Sequence, residues 1–338
     1  MIQTLSEKGT QIWYADDASA IGELDKIRSW FDKLMKIGPA FGYFPEPTKS
    51  LLVVKEPLIS QANALFSDLG IKIATSGRLL GSVVGDHEGT ESFVTNKVNE
   101  WSGHIRKLSS IAHTQPQAAY IALIKSLQCE WNFLQRVVPD CGTLFTNIEN
   151  TICDHFLPAL FGSECTQNER KLYALPLRMG GLNIGNPTSS TTPAYHTSRK
   201  ATLLLANAIK GSDQFTPSEH IENVHNAISE SRKQKTESGQ ATFNSVINEF
   251  DTKQRRSIYR SKDSLSSWLN VLPIEKDHFD LSANEFRDAL SLRYAKPLLQ
   301  LPSTCDGCGE LFFNHPCPRL QEGRFSNSTP QRSPRHHP

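Results

Sequence analysis

The sequence predicts an α+β unit that gives way, near residue 91, to a mostly α-helical body. Three observations carry this. Short strand-like runs alternate with helical ones over residues 1–90, the pattern of a mixed layer. From Glu91 to Phe161 apolar residues recur at helical spacing in three successive stripes. Residues 199–262 are polar and again helical in pattern.

The elements follow in order. Gln11-Ile12-Trp13-Tyr14 reads as a strand, Ala15 to Ala18 as a turn, and Ser19-Ala20-Ile21 as the returning strand. Leu24, Ile27, Trp30, Phe31 and Leu34 mark an amphipathic helix, ended by Gly38-Pro39. A Gly/Pro-rich loop from Gly42 to Lys49 leads to Leu51-Leu52-Val53-Val54, expected as a buried strand. A second helix, Ser60 to Leu69, stops at Gly70. Ile71-Lys72-Ile73 and Leu79 to Val84 read as strands, with Gly81 and Gly85 allowing tight turns.

In the helical body the first stripe is Phe93, Val94, Val98, Trp101 and Ile105. The second is Ala118, Ile121, Ala122, Ile124 and Leu127, and the third is Ile148, Ile152, Phe156 and Leu160. Leu175 to Leu182 is a Gly-rich turn between apolar residues, and Thr188 to Thr197 reads as a Ser/Thr-rich linker. Lys253, Arg255, Arg256, Arg260 and Lys262 form a basic cluster. Trp268 to Leu301 returns to apolar periodicity, and the last twenty or so residues, rich in Pro, Arg and His, are expected to be disordered.

Composition sets loose bounds. The 338 residues carry a net charge of +1, so no global basic field announces a nucleic-acid partner. Seven cysteines without regular spacing, together with no signal-peptide pattern, predict a reducing, intracellular compartment. No run approaches the roughly 20 apolar residues of a membrane span.

Two constellations carry chemistry. Asp16 and Asp17 stand side by side at the expected hairpin tip, and adjacent carboxylates offer the hard oxygen ligands that Mg²⁺ requires. The plainer reading of such a pair is a solvated turn. Cys305-Asp306-Gly307-Cys308 is a zinc half-site, since C-x-x-C lets two thiolates occupy adjacent tetrahedral corners. His315 and Cys317 follow, and would complete a set for Zn²⁺; the alternative is a pair of free cysteines on a loose terminus.

The order of these pieces resembles the reverse transcriptases of LINE-type, non-LTR retrotransposons. The resemblance is to the class in which a zinc knuckle precedes a restriction-like endonuclease. Trp13-Tyr14-Ala15-Asp16-Asp17 is similar to the palm hairpin of that family. Trp30-Phe31-Asp32-Lys33-Leu34 with Gly38-Pro39-Ala40-Phe41-Gly42-Tyr43 is similar to the helix and loop after it, and Pro47-Thr48-Lys49-Ser50 to the lysine-bearing loop beyond. Leu80-Gly81 in Gly77-Arg78-Leu79-Leu80-Gly81 looks like the primer-grip hairpin. Gln115-Pro116-Gln117-Ala118-Ala119-Tyr120 and Leu175 to Leu182 resemble the thumb and the segment that follows it. The match spans about residues 11–315.

The resemblance implies an RNA-directed DNA polymerase ancestry and two-metal nucleotidyl transfer. It implies that Asp16, with Asp17 beside it, ligates Mg²⁺, and that Lys49 is the acid for the leaving pyrophosphate. Tyr14 and Ala15 would shape the hairpin beside the primer end, with Leu80 and Gly81 at the grip. Lys97, Arg106, Lys107 and Lys125 would touch phosphates of an RNA template and DNA primer, which fixes position without reading sequence. The implied layout is a palm portion over residues 1–90, a thumb and following turn over 91–187, a helical linker over 188–302, a degenerate zinc knuckle over 303–317 and a tail over 318–338.

Two departures qualify this layout. The family's palm carries a further aspartate on a strand before the hairpin, and residues 1–13 contain none, so this stretch alone is expected to be catalytically incomplete. The runner-up is a non-enzymatic protein that binds primer–template duplex through the thumb. The second departure is at the knuckle, where one residue separates His315 from Cys317 and the family has three. Codons permitted for residues 316–337, read one nucleotide later, spell the family's missing H-A-L-D-C and R-H-N-E-V-R-D strings. A one-nucleotide frameshift near Asn314 to Pro316 is therefore expected, leaving an unselected tail.

Overall fold

The computed structural model describes residues 5, 10–211 and 214–298. Two strand–turn–strand units and one parallel strand pair make up the first part. The hairpin β1 (Thr10–Tyr14) and β2 (Asp17–Ile21) precedes helix α1 (Leu24–Ile37). Strand β3 (Leu51–Val53), helix α2 (Ile59–Phe66) and strand β4 (Lys72–Ala74) form a parallel crossover, followed by the hairpin β5 (Ser76–Leu79) and β6 (Ser82–Gly85). Each pair is its own two-stranded ladder, so the strands do not merge into one sheet.

The mixed α+β character holds, and several boundaries move. The turn of the first hairpin is only Ala15-Asp16, because Tyr14 pairs with Asp17 and Trp13 with Ala18. Leu51 to Val54 is less buried than its composition suggests: Leu51 is exposed, and only Val54 lies in the interior. A lone parallel pair has one face without a covering layer, which leaves alternate residues wet. Leu79 to Val84 is a hairpin rather than a strand, with Leu80 and Gly81 both at positive φ (47° and 82°) in the two-residue loop.

Helix α1 forms as its apolar spacing demands. Ile27, Trp30, Phe31 and Leu34 share its inner face. Trp30, Phe31, Leu34 and Leu5 build a small core, against which Trp13, Ala18, Ala20, Tyr43, Leu69 and Ile71 pack. Arg28 clamps α1 to the end of α2: its guanidinium meets both oxygens of Asp32 at 3.0 Å, the Leu65 carbonyl at 2.6 Å and Asp68 Oδ2 at 2.7 Å.

The helical body begins at α3 (His87–Ala112), capped by the Asp86 side chain accepting from Gly89 N–H at 2.8 Å. Helices α4 (Pro116–Ala122) and α5 (Gln128–Val137) are joined by a π-turn over Leu123–Leu127. A second π-turn, Ile152–Phe156, joins α6 (Thr146–Thr151) to α7 (Leu157–Phe161). Helices α8 (Gln167–Ala174), α9 (Pro187–Ile209), α10 (Pro217–Ile247), α11 (Thr252–Arg260) and α12 (Ala283–Tyr294) follow.

One continuous core runs from Val94 to Tyr294. It takes in the third apolar stripe, the first with Phe93 at its margin, and Ile121, Ile124 and Leu127 of the second, while Ala118 and Ala122 stay half-buried and Ala119 and Leu123 point inward instead. It also takes in Phe243, Val246, Ile247, Ile258, Phe286 and Leu290, so α10 to α12 belong to the same packed body as the earlier helices. The Ser/Thr-rich run from Thr188 to Thr197 is not a linker. It is the first half of α9, started by Pro187 and capped by Asn186, whose side chain accepts from the N–H of Thr188 (2.9 Å) and Ser189 (3.3 Å). Serine and threonine there cap and pack, and Gln135 holds the end in place by donating to the Pro187 carbonyl at 2.8 Å.

The turn Leu175–Leu182 is the hub of this body. Arg170 donates to the Ile184 carbonyl (2.7 Å), Tyr120 to Leu182 (2.9 Å), Tyr294 to Gly180 (3.0 Å) and Arg293 to Gly181 (3.1 Å). A side chain at Gly181 would collide with the backbone of Leu172 and Leu175, which is why the turn needs glycine there. Arg170 is itself held by a two-pronged ion pair with Glu149 at 2.8 and 2.7 Å.

Candidate functional site

The acidic pair sits at the tip of the β1–β2 hairpin. Ala15 adopts φ +53°, the left-handed region that a two-residue hairpin turn requires and that most residues avoid. This turn presents Asp16 and Asp17 on the surface, beside an exposed Tyr14.

The hairpin is fixed from behind. Gln11 accepts hydrogen bonds from the indole N–H groups of both Trp13 and Trp30, each at 3.1 Å, so the strand is tied to α1. Tyr43 packs edge-on against Trp13 with ring centroids 5.2 Å apart. Its phenol pKa is raised, first by burial and then by Asp17 and Asp16, while a backbone hydrogen bond from Ala18 acts in the opposite direction. Tyr43 is placed there by the loop between Gly38 and Gly42: its N–H donates to the Gly38 carbonyl at 3.1 Å. A side chain at Gly38 would strike the Tyr43 carbonyl at 2.6 Å.

Two carboxylates, in no ion pair among the described residues, suit a hard, oxygen-seeking cation such as Mg²⁺. Asp16 and Asp17 are the residues that would hold it. Among the described residues, no three histidine, cysteine, aspartate or glutamate side chains come together as a metal-binding group.

The other expected site residues are not gathered here. Lys49 lies on the short 3₁₀ turn Pro47–Lys49 and pairs with Glu46 at 2.7 Å, an exposed contact that lowers the Glu46 pKa. Leu80 and Gly81 form the tip of the β5–β6 hairpin, where Gly81 approaches Phe133 of α5. On α3, Lys97 pairs with Glu100 at 2.7 Å, and Arg106 and Lys107 are exposed. At about 100° per residue, Arg106 points to the opposite side of α3 from Lys97. Lys125 is exposed on the first π-turn. Cys305, Cys308, His315 and Cys317 lie outside the described residues.

Gln11 and Tyr43 are the site-shaping residues that a search for charged and metal-ligating types passes over. The signal for Tyr43 was the glycine pair Gly38 and Gly42, which bends the chain back toward the strand. Arg106 also borders an open groove of about 730 Å³ with His113, Asp154, His155 and Glu164, in which both signs of charge mix. No helix among the described residues is long and apolar enough to cross a membrane. Compared with protein-family models, curated proteins and solved structures, the chain finds no match.

Proposed function

We propose that this chain is part of an RNA-directed DNA polymerase of the LINE type, comprising the catalytic hairpin of the palm, the thumb and the helices after it. One observation carries the reading. Two sequence motifs on which the resemblance rests, Trp13 to Asp17 and Gly38 to Tyr43, are separate in sequence and meet in space as one braced hairpin. Bracing a strained, acidic, solvent-facing turn from behind serves a site whose carboxylates must be held in place.

In this reading Asp16 and Asp17 bind Mg²⁺. The bound ion supplies charge stabilisation for nucleotidyl transfer. Gln11, Trp13 and Tyr43 position the turn, and Tyr14 borders the primer end. Because the tip offers two carboxylates, this stretch alone binds Mg²⁺ weakly and extends no primer.

The test is a longer polypeptide. The genomic sequence upstream of Met1 should encode, in frame or nearly so, a strand with the further aspartate. That longer chain should extend a primed RNA template with Mg²⁺ and dNTPs, and Asp16→Ala should lower the rate by at least about 100-fold. Equal extension by the Asp16→Ala chain would overturn the proposal. Salt-dependent duplex binding without any extension by the longer chain would favour the non-enzymatic reading.

A further inference from the structure

The strongest concentration of positive charge lies away from the acidic hairpin, where three chain segments converge on the Gly180 turn. Helix α11 and its exit carry Lys253, Arg255, Arg256, Arg260 and Lys262, with no acidic residue between Thr252 and Lys262. Only Ile258 of α11 is fully buried, so Arg256 and Arg260, four residues apart, form an outward ridge.

The flank of α11 leans on α10. Tyr259 meets Phe243 edge-on at 5.6 Å, and Lys262 Nζ lies over the Phe243 ring at 4.5 Å and near the Tyr259 ring at 5.7 Å. The Gly180 turn abuts Ile258 and Lys262, and Arg178, two residues back, is exposed and donates to Thr236 of α10 at 3.0 Å.

The pieces make one surface: a cationic ridge, a cationic rim at Lys262 and Arg178, and an aromatic ring between them. Tyr259 is 54 % exposed, an unusual state for a ring at the edge of a core. Among the described residues, none of Arg178, Arg255, Arg256, Arg260 and Lys262 is in an ion pair, although the chain has nearly as many acidic as basic residues. Like charges held together without counter-ions repel, and a bound polyanion relieves that cost.

We propose that this surface binds single-stranded nucleic acid, with the backbone phosphates on Arg178, Arg255, Arg256, Arg260 and Lys262 and a base stacked on Tyr259. An exposed aromatic ring flanked by cations is the arrangement that holds a single strand without reading its sequence. An anionic membrane surface would use the same cations and could also seat the ring, so vesicle binding is measured alongside. The inference is independent of the acidic hairpin and concerns no catalysis.

The test is fluorescence anisotropy of the full chain with a labelled mixed-sequence single-stranded oligonucleotide over a range of salt. Arg256→Glu with Arg260→Glu should weaken binding at least about tenfold and flatten the dependence of log K on log salt by about 1.4, for two lost phosphate contacts. Tyr259→Ala should weaken binding at least about fivefold and leave the salt slope unchanged. Lys26→Glu, on α1, should bind as the parent does. Unchanged affinity in the double variant would overturn the inference. So would phosphatidylserine vesicles binding more tightly than the oligonucleotide with no effect of Tyr259→Ala. Circular dichroism of each variant separates lost binding from lost folding. If the longer chain lacks polymerase activity while these variants behave as stated, the hairpin reading fails and this one stands.

Discussion

Arg170 is tightly held in the core of the helical body. It is 8 % exposed, its partner Glu149 is 14 % exposed, and it also donates to the carbonyls of Ile184 and Gly185. Removing one member of such a pair strands the other charge in a dry site. Arg170→Ala should therefore cost about 3–5 kcal/mol in urea unfolding, and replacing both residues by apolar ones of similar size should recover much of that loss. Asp86 gives a pH-dependent counterpart. Its pKa is held below the ordinary 3.8, first by the Gly89 N–H and then by the Thr75 side chain. A depressed folded-state pKa contributes stability that is present above the unfolded value and lost as pH falls through the folded one. Urea midpoints of the parent and Asp86→Asn should therefore differ at neutral pH, and the gap should close in the range below about pH 4.

At the scale of elements, α9 makes the sharpest claim. A Ser/Thr-rich run becomes helix because Asn186 satisfies its first N–H groups and Pro187 presets the first turn. Asn186→Ala should cost about 1 kcal/mol in stability, and Asn186→Asp should cost little. The same element shows where sequence reading reached its limit. Serine and threonine favour caps and turns in isolation, and packing against α5 through Gln135 joins the Asn186 cap and Pro187 in favouring helix here. Helix α1 was legible because its stripe of Ile27, Trp30, Phe31 and Leu34 is a period that no strand can use. The acidic turn was legible from Asp16 and Asp17 between apolar residues. Its support was not, since Gln11 and Tyr43 carry no charge and act from different elements. Leu80-Gly81 was legible as a turn within a strand-like run, and the pairing of its two arms needed the third dimension.

At the scale of the whole molecule, the described residues pack into two cores of very different size. The smaller rests on Leu5, Trp30, Phe31 and Leu34, and the larger extends from Val94 to Tyr294. The small core buries too little to match the large one, so unfolding should occur in two steps, the first led by residues 10–85. Trp13 and Trp30 report the first, and Trp101, Trp131 and Trp268 the second. A Trp13→Phe/Trp30→Phe chain followed by tryptophan emission in urea should lose the early transition, and a single transition in the parent would count against the two-core description. Beyond the described residues, sequencing of the gene across codons 305–337 should show the family's knuckle in the shifted frame. A different codon series would sink the frameshift.

Two closely fitted glycines lie in the chain between the small core and Val94, where the large one begins. Gly85, at φ +140°, lies against the backbone of Thr75 and Ser76, and Gly89 faces the Ser76 side chain one turn into α3. A single methyl group at Gly85 or Gly89 would collide with these atoms, so either substitution pushes the β5–β6 hairpin and the start of α3 apart. The bracing of Asp16 and Asp17 lies elsewhere, in the packing of Trp13 with Tyr43 and the hydrogen bonds of Gln11 to Trp13 and Trp30.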